Sequence, residues 1–333
     1  MGTKTNVKIC LIIAMLLAIF SSYGCAQEGK IPTMTKSFEL NQPGVLNSMS
    51  SGGKIIVKTH RENIVEVQVF IRKNGKVLAP ADPLLDDVLN NFDLKIEKHG
   101  SVINVNAKRK TRFKIFKNYG ISFIINVPKE MSCNVSSSGG GLIISGVNGV
   151  QSFSSSGGSV YLENIIGSTK AQSSGGSVKV INHEGELNLS SSGGSVSVNQ
   201  LQGNVYAHSS GGSVKLNNIY GDVEVGSSGG GVSVSGECNY VKAASSGGSV
   251  RVNISNLTKG LHLSSSGGGI DAVIQNGDEL GFDLDLSSSR VKIDLYNFTG
   301  RSEKNFVKGT MNGGGIPVYM HASGGSINVR YSD

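Results

Sequence analysis

The stretch Ser155-Ser156-Gly157-Gly158-Ser159-Val160-Tyr161-Leu162-Glu163-Asn164-Ile165-Ile166-Gly167-Ser168-Thr169-Lys170-Ala171-Gln172 decides the fold, because it begins again as Ser173-Ser174-Gly175-Gly176-Ser177-Val178-Lys179-Val180. The first glycine of the Ser-Ser-Gly-Gly motif recurs at a constant interval, at Gly139, Gly157, Gly175, Gly193, Gly211, Gly229 and Gly247. Another copy follows slightly late at Gly267, a degenerate one at Ser287-Ser288-Ser289-Arg290, and a last one at Ala322-Ser323-Gly324-Gly325. One such motif reads as linker. Seven in register are a structural repeat.

Apolar residues hold the third and fifth positions past the first glycine: Leu142/Ile144, Val160/Leu162, Val178/Val180, Val196/Val198, Val214/Leu216, Val232/Val234 and Val250/Val252. Alternation of β-branched and other residues is a strand signature, one face in and one out. A glycine corner follows, as in Ile165-Ile166-Gly167 and Ile219-Tyr220-Gly221. A second alternating stretch, with Leu187/Leu189, Val205/Ala207, Val223/Val225 and Val241/Ala243, leads into the next Ser-Ser-Gly-Gly. A lone unit of strand, corner, strand, corner cannot bury its apolar stripe, but stacked copies can. The first serine of each pair keeps inward parity, so its hydroxyl should point in or bond the turn backbone. The glycines should hold positive φ or permit close approach.

The sequence therefore predicts an all-β, right-handed single-stranded β-helix (a β-solenoid) with 18-residue coils and irregular capping ends. The left-handed alternative would place one aliphatic every six residues on three equal faces, whereas the apolar pairs here lie nine apart on two strands. Four segments follow: a signal at 1–26, irregular strand-rich coils and a cap at 34–130, the regular solenoid at 131–277, and C-terminal coils and cap at 278–333. Lys54–Lys58 after Ser50-Ser51-Gly52-Gly53 reads as a first coil. Asp82-Pro83 with Leu84, Leu85, Val88 and Leu89 predicts one short helix, N-capped by the aspartate, as a lid over the open end.

Composition agrees with a turn-rich solenoid. Gly is 46 of 333 residues, about twice the usual share, with 6 Pro and no Trp. The net charge of +7 falls to +5 once Lys4 and Lys8 leave with the signal (7 − 2), too little and too dispersed for a nucleic-acid binder. Those lysines precede an apolar run, Ile9 to Phe20, which is too short to span a bilayer as a mature anchor. Gly24-Cys25 then resembles the end of a lipobox, making Cys25 the lipidation candidate, although Ser22 and Tyr23 depart from that pattern. Ordinary cleavage after Ala26 is the rival. The expected location is the outer membrane or cell surface, with the periplasm as alternative. Cys133 and Cys238 lie about six coils apart, which at ~4.8 Å per coil excludes a disulfide.

Outward positions of the first strand read Ile143, Tyr161, Lys179, Ser197, Lys215, Ser233, Arg251 and Asp271. Lys179, Lys215 and Arg251 would form a basic stripe for anionic glycans or headgroups; solvated surface charge is the bland reading. On the second strand the series is Lys170, Asn188, Tyr206, Glu224, Lys242 and His262. Tyr161 and Tyr206 are candidates to stack on sugar rings. Asp271, Glu279, Asp283, Asp285 and Asp294 are the acidic group a polysaccharide-active enzyme would need. No nucleophile elbow, calcium nonapeptide or phosphate loop accompanies them. The sequence thus names no catalytic, metal or cofactor residue, and the reading is not an enzyme. The basic run Lys108-Arg109-Lys110-Thr111-Arg112 reads as a solvated hairpin edge.

The Val127-Pro128 strand end leading through Asn134-Val135-Ser136-Ser137-Ser138-Gly139-Gly140 into successive Ser-Ser-Gly-Gly-Ser-Val units resembles a bacterial adhesin-like family of unknown function, and more distantly auto-transporter adhesin heads. The likeness spans roughly residues 34–333 and is clearest over 127–270. It implies an envelope-associated β-helix that binds an unidentified protein or glycan through a sheet face or an end, without catalysis. A polysaccharide-active enzyme and a purely structural envelope component are the alternatives.

Overall fold

The structure is a computed structural model that describes residues 31–110 and 118–332. The signal segment, Cys10 and Cys25, and Thr111 and Arg112 of the basic run, lie outside the described residues. The described chain is all-β apart from one helix, Leu85–Leu89, and its strands form two sheets of 15 strands each. Parallel pairing dominates both.

The sequence repeat sets the register. In the first sheet Val160 pairs with Val178, Val178 with Val196 and Val196 with Val214, one repeat on at each step. Ala171 pairs with Leu189 and Leu189 with Ala207 in the second. Each 18-residue unit gives one strand to either sheet, and the expected inward pairs Val160/Leu162 through Val250/Val252 are buried. The inward second-strand residues Leu187, Leu189, Val223 and Val225 are buried too. Every backbone group of a central strand thereby finds partners in the coils on both sides.

The two kinds of corner work differently from each other. The corner after the first strand uses positive φ, at Gly149, Gly167, Gly185, Gly203 and Gly221, and at Asn164, Asn182, Gln200 and Asn218 three residues before the last four. Asparagine is the non-glycine residue that tolerates this region best. The Ser-Ser-Gly-Gly glycines do not adopt positive φ; they are required for space instead. A Cβ on Gly158 would lie 2.4 Å from the Gly141 nitrogen in the adjacent coil. The first serine of each pair locks this corner. Ser155 Oγ donates to Gly140 O at 3.0 Å and accepts from Gly158 N at 2.9 Å, and Ser173, Ser191, Ser209, Ser227 and Ser245 repeat the arrangement. Each buried hydroxyl thus ties its own turn to the neighbouring coil.

At both ends the coils leave chain order. The first coil, strands Gly44–Ser50 and Ile55–His60, sits between Val102–Arg109/Tyr119–Pro128 on one side and Met131–Ser137/Leu142–Ser145 on the other. The last coil, Ile316–Ala322 and Ile327–Ser332, likewise sits between Gly260–Ser265/Ile270–Gln275 and Phe282–Ser287/Val291–Lys292. The late Ala322-Ser323-Gly324-Gly325 copy therefore stacks on Ser265–Gly268 on one side, and the degenerate copy that precedes it in sequence lies outside it on the other. Antiparallel strands finish the stack: Ile64–Lys73 and Phe92–His99 at one end, Phe306–Met311 and Thr299–Ser302 at the other. The helix buries Val88 against the first of these ends. It begins two residues later than an Asp82 cap predicts, after Leu84, and no side chain caps it; Asp82 Oδ1 instead accepts from Leu84 N.

Cys133 and Cys238 are free and buried, and burial pushes both thiols up to about 12. Gln151, Thr169 and His183 are inward core positions that depart from the apolar rule. Where Ile165, Leu201 and Ile219 pack in the same column, one coil carries His183, fully buried, its Nε2 2.9 Å from Thr169 Oγ1 and its Nδ1 without a partner. Burial lowers its pKa from 6.5 to about 4. The unfolded chain therefore binds the extra proton between those values, and stability falls as pH drops through that window. The loss is complete below about pH 4 and bounded at ~3 kcal/mol. A His183→Leu/Thr169→Val double variant should flatten this part of the stability–pH curve in urea titrations; an unchanged slope would refute the assignment.

Candidate functional site

Because the register is fixed, outward residues form columns running along the stack. On the first sheet one column is Ile143, Tyr161, Lys179, Ser197, Lys215, Ser233, Arg251 and Asp271. Tyr161, Lys179, Lys215 and Arg251 thus share a face, but a serine separates each cation from the next. Cations two coils apart are ~10 Å from one another, about a Debye length at ordinary salt, so they reinforce each other weakly. Lys179 Nζ lies over the Tyr161 ring, 5.7 Å from its centroid, and Asp271, beyond which the column continues to Asn328, is paired with Arg330 at 3.0 Å. Tyr206 is on the other sheet and does not join them.

The second sheet carries the larger concavity. Two columns flank it. One holds the residue after each corner glycine, Val150, Ser168, Glu186, Asn204 and Asp222, and continues to Tyr240. The other, two residues further along each strand, holds Ser152, Lys170, Asn188, Tyr206 and Glu224. Between them the strand backbone at Leu187, Val205 and Val223, whose side chains are buried inward, forms the floor of a shallow groove of about 640 Å³ crossing six coils. Val150 and Tyr206 are exposed, at 68% and 49%, so apolar surface lies open along it.

Charges in and beside the groove balance. Glu224 is paired with Lys242 and Asp222 with Lys259, both at 2.7 Å, and Lys170 lies one coil from Glu186. Two of the three carboxylates are ion-paired, and Lys170 offsets the charge of the third. Asn204 Oδ1 accepts from Asp222 N at 3.1 Å, which fixes the column's direction at that step.

Tyr206 was legible as a candidate; Tyr240, Asn204, Asp222 and Glu186 were not. Glu186, Asn204 and Asp222 each follow a corner glycine and Tyr240 follows Asn239, one residue ahead of the inward residue at which the second-strand alternation starts. The acidic residues suggested for polysaccharide chemistry are not gathered. Asp271 belongs to the first sheet, and Asp283 and Asp285 to the second, where Asp283 accepts from Gly315 N at 3.1 Å and Asp285 pairs with Lys308 at 3.0 Å. Among the described residues no group of three or more His, Cys, Asp or Glu could hold a metal ion. Arg109 of the basic run lies over Phe92 and donates to Tyr119 O, so its guanidinium holds the cap together.

Two parallel sheets with an 18-residue register and mixed antiparallel ends can be set beside known proteins. Residues 86–330 match the family described as Toastrack DUF4097. The chain belongs to that family. Two solved structures are also similar. One is a putative cell adhesion protein from Clostridium sporogenes, 11% identical, with 90% of this chain and 98% of that chain covered and a TM-score of 0.20. The other is a putative lipid binding protein from Parabacteroides distasonis, 15% identical, with 89% and 96% covered and a TM-score of 0.33. Superpositions this loose transfer neither a fold nor a ligand. No curated protein matches. As a Toastrack protein, the chain carries its family match across the regular solenoid, the helix and nearly all of the C-terminal end, whereas the first coil lies before residue 86.

Proposed function

We propose that this Toastrack protein is a non-catalytic binding scaffold of the cell envelope, engaging its partner through the outer face of the second sheet. The observation that carries the reading is the open groove across six coils, flanked by exposed side chains that the stack does not need. The inward residues are interchangeable aliphatics, and the corners are Ser and Gly fixed by packing. Recognition therefore falls to the irregular outward columns, as in other stacked repeats whose extended faces bind. A catalytic reading has less support, because Asp271 and Asp285 are engaged in ion pairs and Asp283 in a turn.

The same proposal includes export, with Cys25 acylated and the solenoid held at an outer membrane surface. It also includes a right-handed coil, since a strand, crossover and parallel strand in one sheet is right-handed in about 98% of cases. Labelled palmitate should enter the full-length protein in the native envelope and be absent from a Cys25→Ala variant. Equal labelling of the two would remove the lipid anchor. Polysaccharide turnover by the parent that is lost in Asp283→Asn or Asp285→Asn would overturn the non-catalytic reading.

A further inference from the structure

We infer that the groove on the second sheet binds a neutral, linear, extended glycan lying along the stack axis, one sugar ring per coil. The inference rests on the scaffold reading and names the ligand of that same groove.

Three features select this ligand. The first is pitch. The groove crosses the strands at right angles, so its polar side chains repeat at the inter-strand spacing of ~4.8 Å. That repeat is close to the length one pyranose ring contributes to an extended β-linked chain, so a bound polymer stays in phase with the coils across the groove. A globular surface has no such period, and an α-helix repeats at ~5.4 Å per turn, further from the coil spacing. An extended peptide would gain its affinity from an open sheet edge, and this groove lies on the face of a sheet whose strands are already paired on both sides.

The second feature is the kind of side chain presented. Asn188 and Asn204 offer donors and acceptors together, suited to hydroxyls that are both. Tyr206 and Tyr240 stand on opposite flanks, two coils apart, with Tyr206 about half exposed. Two aromatic rings at that spacing meet alternate sugars from opposite sides; in a chain whose successive rings are turned over, those two sugars share one orientation, so Tyr206 and Tyr240 stack on opposite faces of equivalent rings. Tyr240 is held in place by His262, centroids 5.6 Å apart, and His262 in turn by Tyr319 at 4.9 Å. A preset ring loses little rotamer freedom on binding.

The third feature is charge. Glu186, Asp222 and Glu224 are offset by Lys170, Lys242 and Lys259. A polyanion such as a nucleic acid or a sulfated or phosphorylated glycan gains nothing from a neutral groove and would lose affinity steeply with salt wherever it did bind. The basic column on the first sheet is where such a ligand would go, and its cations are too widely spaced to favour one.

The test uses the mature full chain with cellohexaose and chitohexaose as probes and dextran sulfate as the polyanion control, measured by calorimetry. Binding should strengthen from the disaccharide to the hexasaccharide and hardly change between low and physiological salt. Tyr206→Ala and Tyr240→Ala should each weaken it about tenfold, the value of one aromatic contact. Tyr206→Phe, which keeps the ring, should bind within about twofold of the parent, since one surface hydroxyl contributes little net. Unchanged melting of Tyr206→Ala would show that its loss is not unfolding. Failure of both hexasaccharides to bind, affinity independent of chain length, or full binding by the alanine variants would overturn the inference, as would salt-sensitive binding of dextran sulfate to the groove. If groove variants instead abolish crosslinking to an envelope protein or self-association, the glycan inference fails while the scaffold reading stands. If the variants change no interaction of any kind, both fall.

Discussion

Removing the segment 316–333 should cost the whole C-terminal end of the stack rather than one terminal coil. In a solenoid laid down in chain order, such a truncation peels an edge and leaves its neighbour intact. Here Ile316–Ala322 and Ile327–Ser332 are interior strands. They pair on one side with Gly260–Ser265 and Ile270–Gln275, and on the other with Phe282–Ser287 and Val291–Lys292. The deletion takes Val318, Met320, Ala322, Ile327 and Val329 out of the core. At ~1.5–3 kcal/mol for each large buried side chain, that alone approaches the stability of an ordinary domain. Nor can the outer coil simply drop one level. Its corner, Ser287 to Val291, spans four residues where the paired corner from His321 to Ile327 spans six, and it carries Arg290 where a Gly-Gly corner needs no side chain. Hydrogen exchange on the truncated chain should show protection lost throughout 278–315 and kept over 131–255. Protection retained in Phe282–Ser287 would show that the outer coil re-docks. The mirror arrangement, with Gly44–His60 inside the other end, predicts the same for deletion of residues 31–60, where the caps at Ile64–Lys73 and Phe92–His99 should become unprotected.

Much of this architecture is written in the sequence, and the reason is local. Val160, Leu162 and the Ser155 parity recur in every repeat, so pairing between adjacent coils follows from counting. Coil order at the ends cannot be counted, because the Ser-Ser-Gly-Gly of residues 50–53 and the Ala-Ser-Gly-Gly of 322–325 fit equally well beside several coils. Only the antiparallel hairpins, which leave one slot open, decide which coil the chain returns to. The candidate site was half legible for a related reason. Tyr206 sits at an outward strand position, whereas Tyr240 and Asp222 sit where corner becomes strand. Their direction depends on the positive φ of residues such as Gly221 and Asn218. His183 was not legible at all: the apolar-x-Gly rule of its column gives no warning that one coil will bury an imidazole.

The second large effect separates two reasons for glycine within one dipeptide. Gly157→Ala should be tolerated and Gly158→Ala should not. Neither residue adopts positive φ, so a conformational argument would treat them alike. Space does not. A Cβ on Gly157 would approach the Gly139 carbonyl oxygen to 3.2 Å, which a shift of a few tenths of an ångström relieves. A Cβ on Gly158 would stand 2.4 Å from Gly141 N and 2.5 Å from Gly140 C, both backbone atoms of the adjacent coil's corner. Relief there requires the coils to part, and parting them breaks the Ser155 hydroxyl bridge to Gly140 O and the adjacent ladder. Overpacking in a well-filled interior costs ~1–3 kcal/mol when side chains can yield; with only backbone to move, we expect about 3 kcal/mol or more for Gly158→Ala and under ~1 kcal/mol for Gly157→Ala. Ser155→Ala should fall between them, since it leaves a buried N–H and a buried carbonyl each short of one partner, a loss of ~1–3 kcal/mol. Urea unfolding of the three variants ranks them directly. Equal effects at the two glycines would mean that the motif is kept for chain flexibility in the turn. The predicted order would mean that the second glycine is kept because the neighbouring coil's corner lies against it, so that glycine is a requirement of stacking and belongs wherever another coil is stacked on the corner.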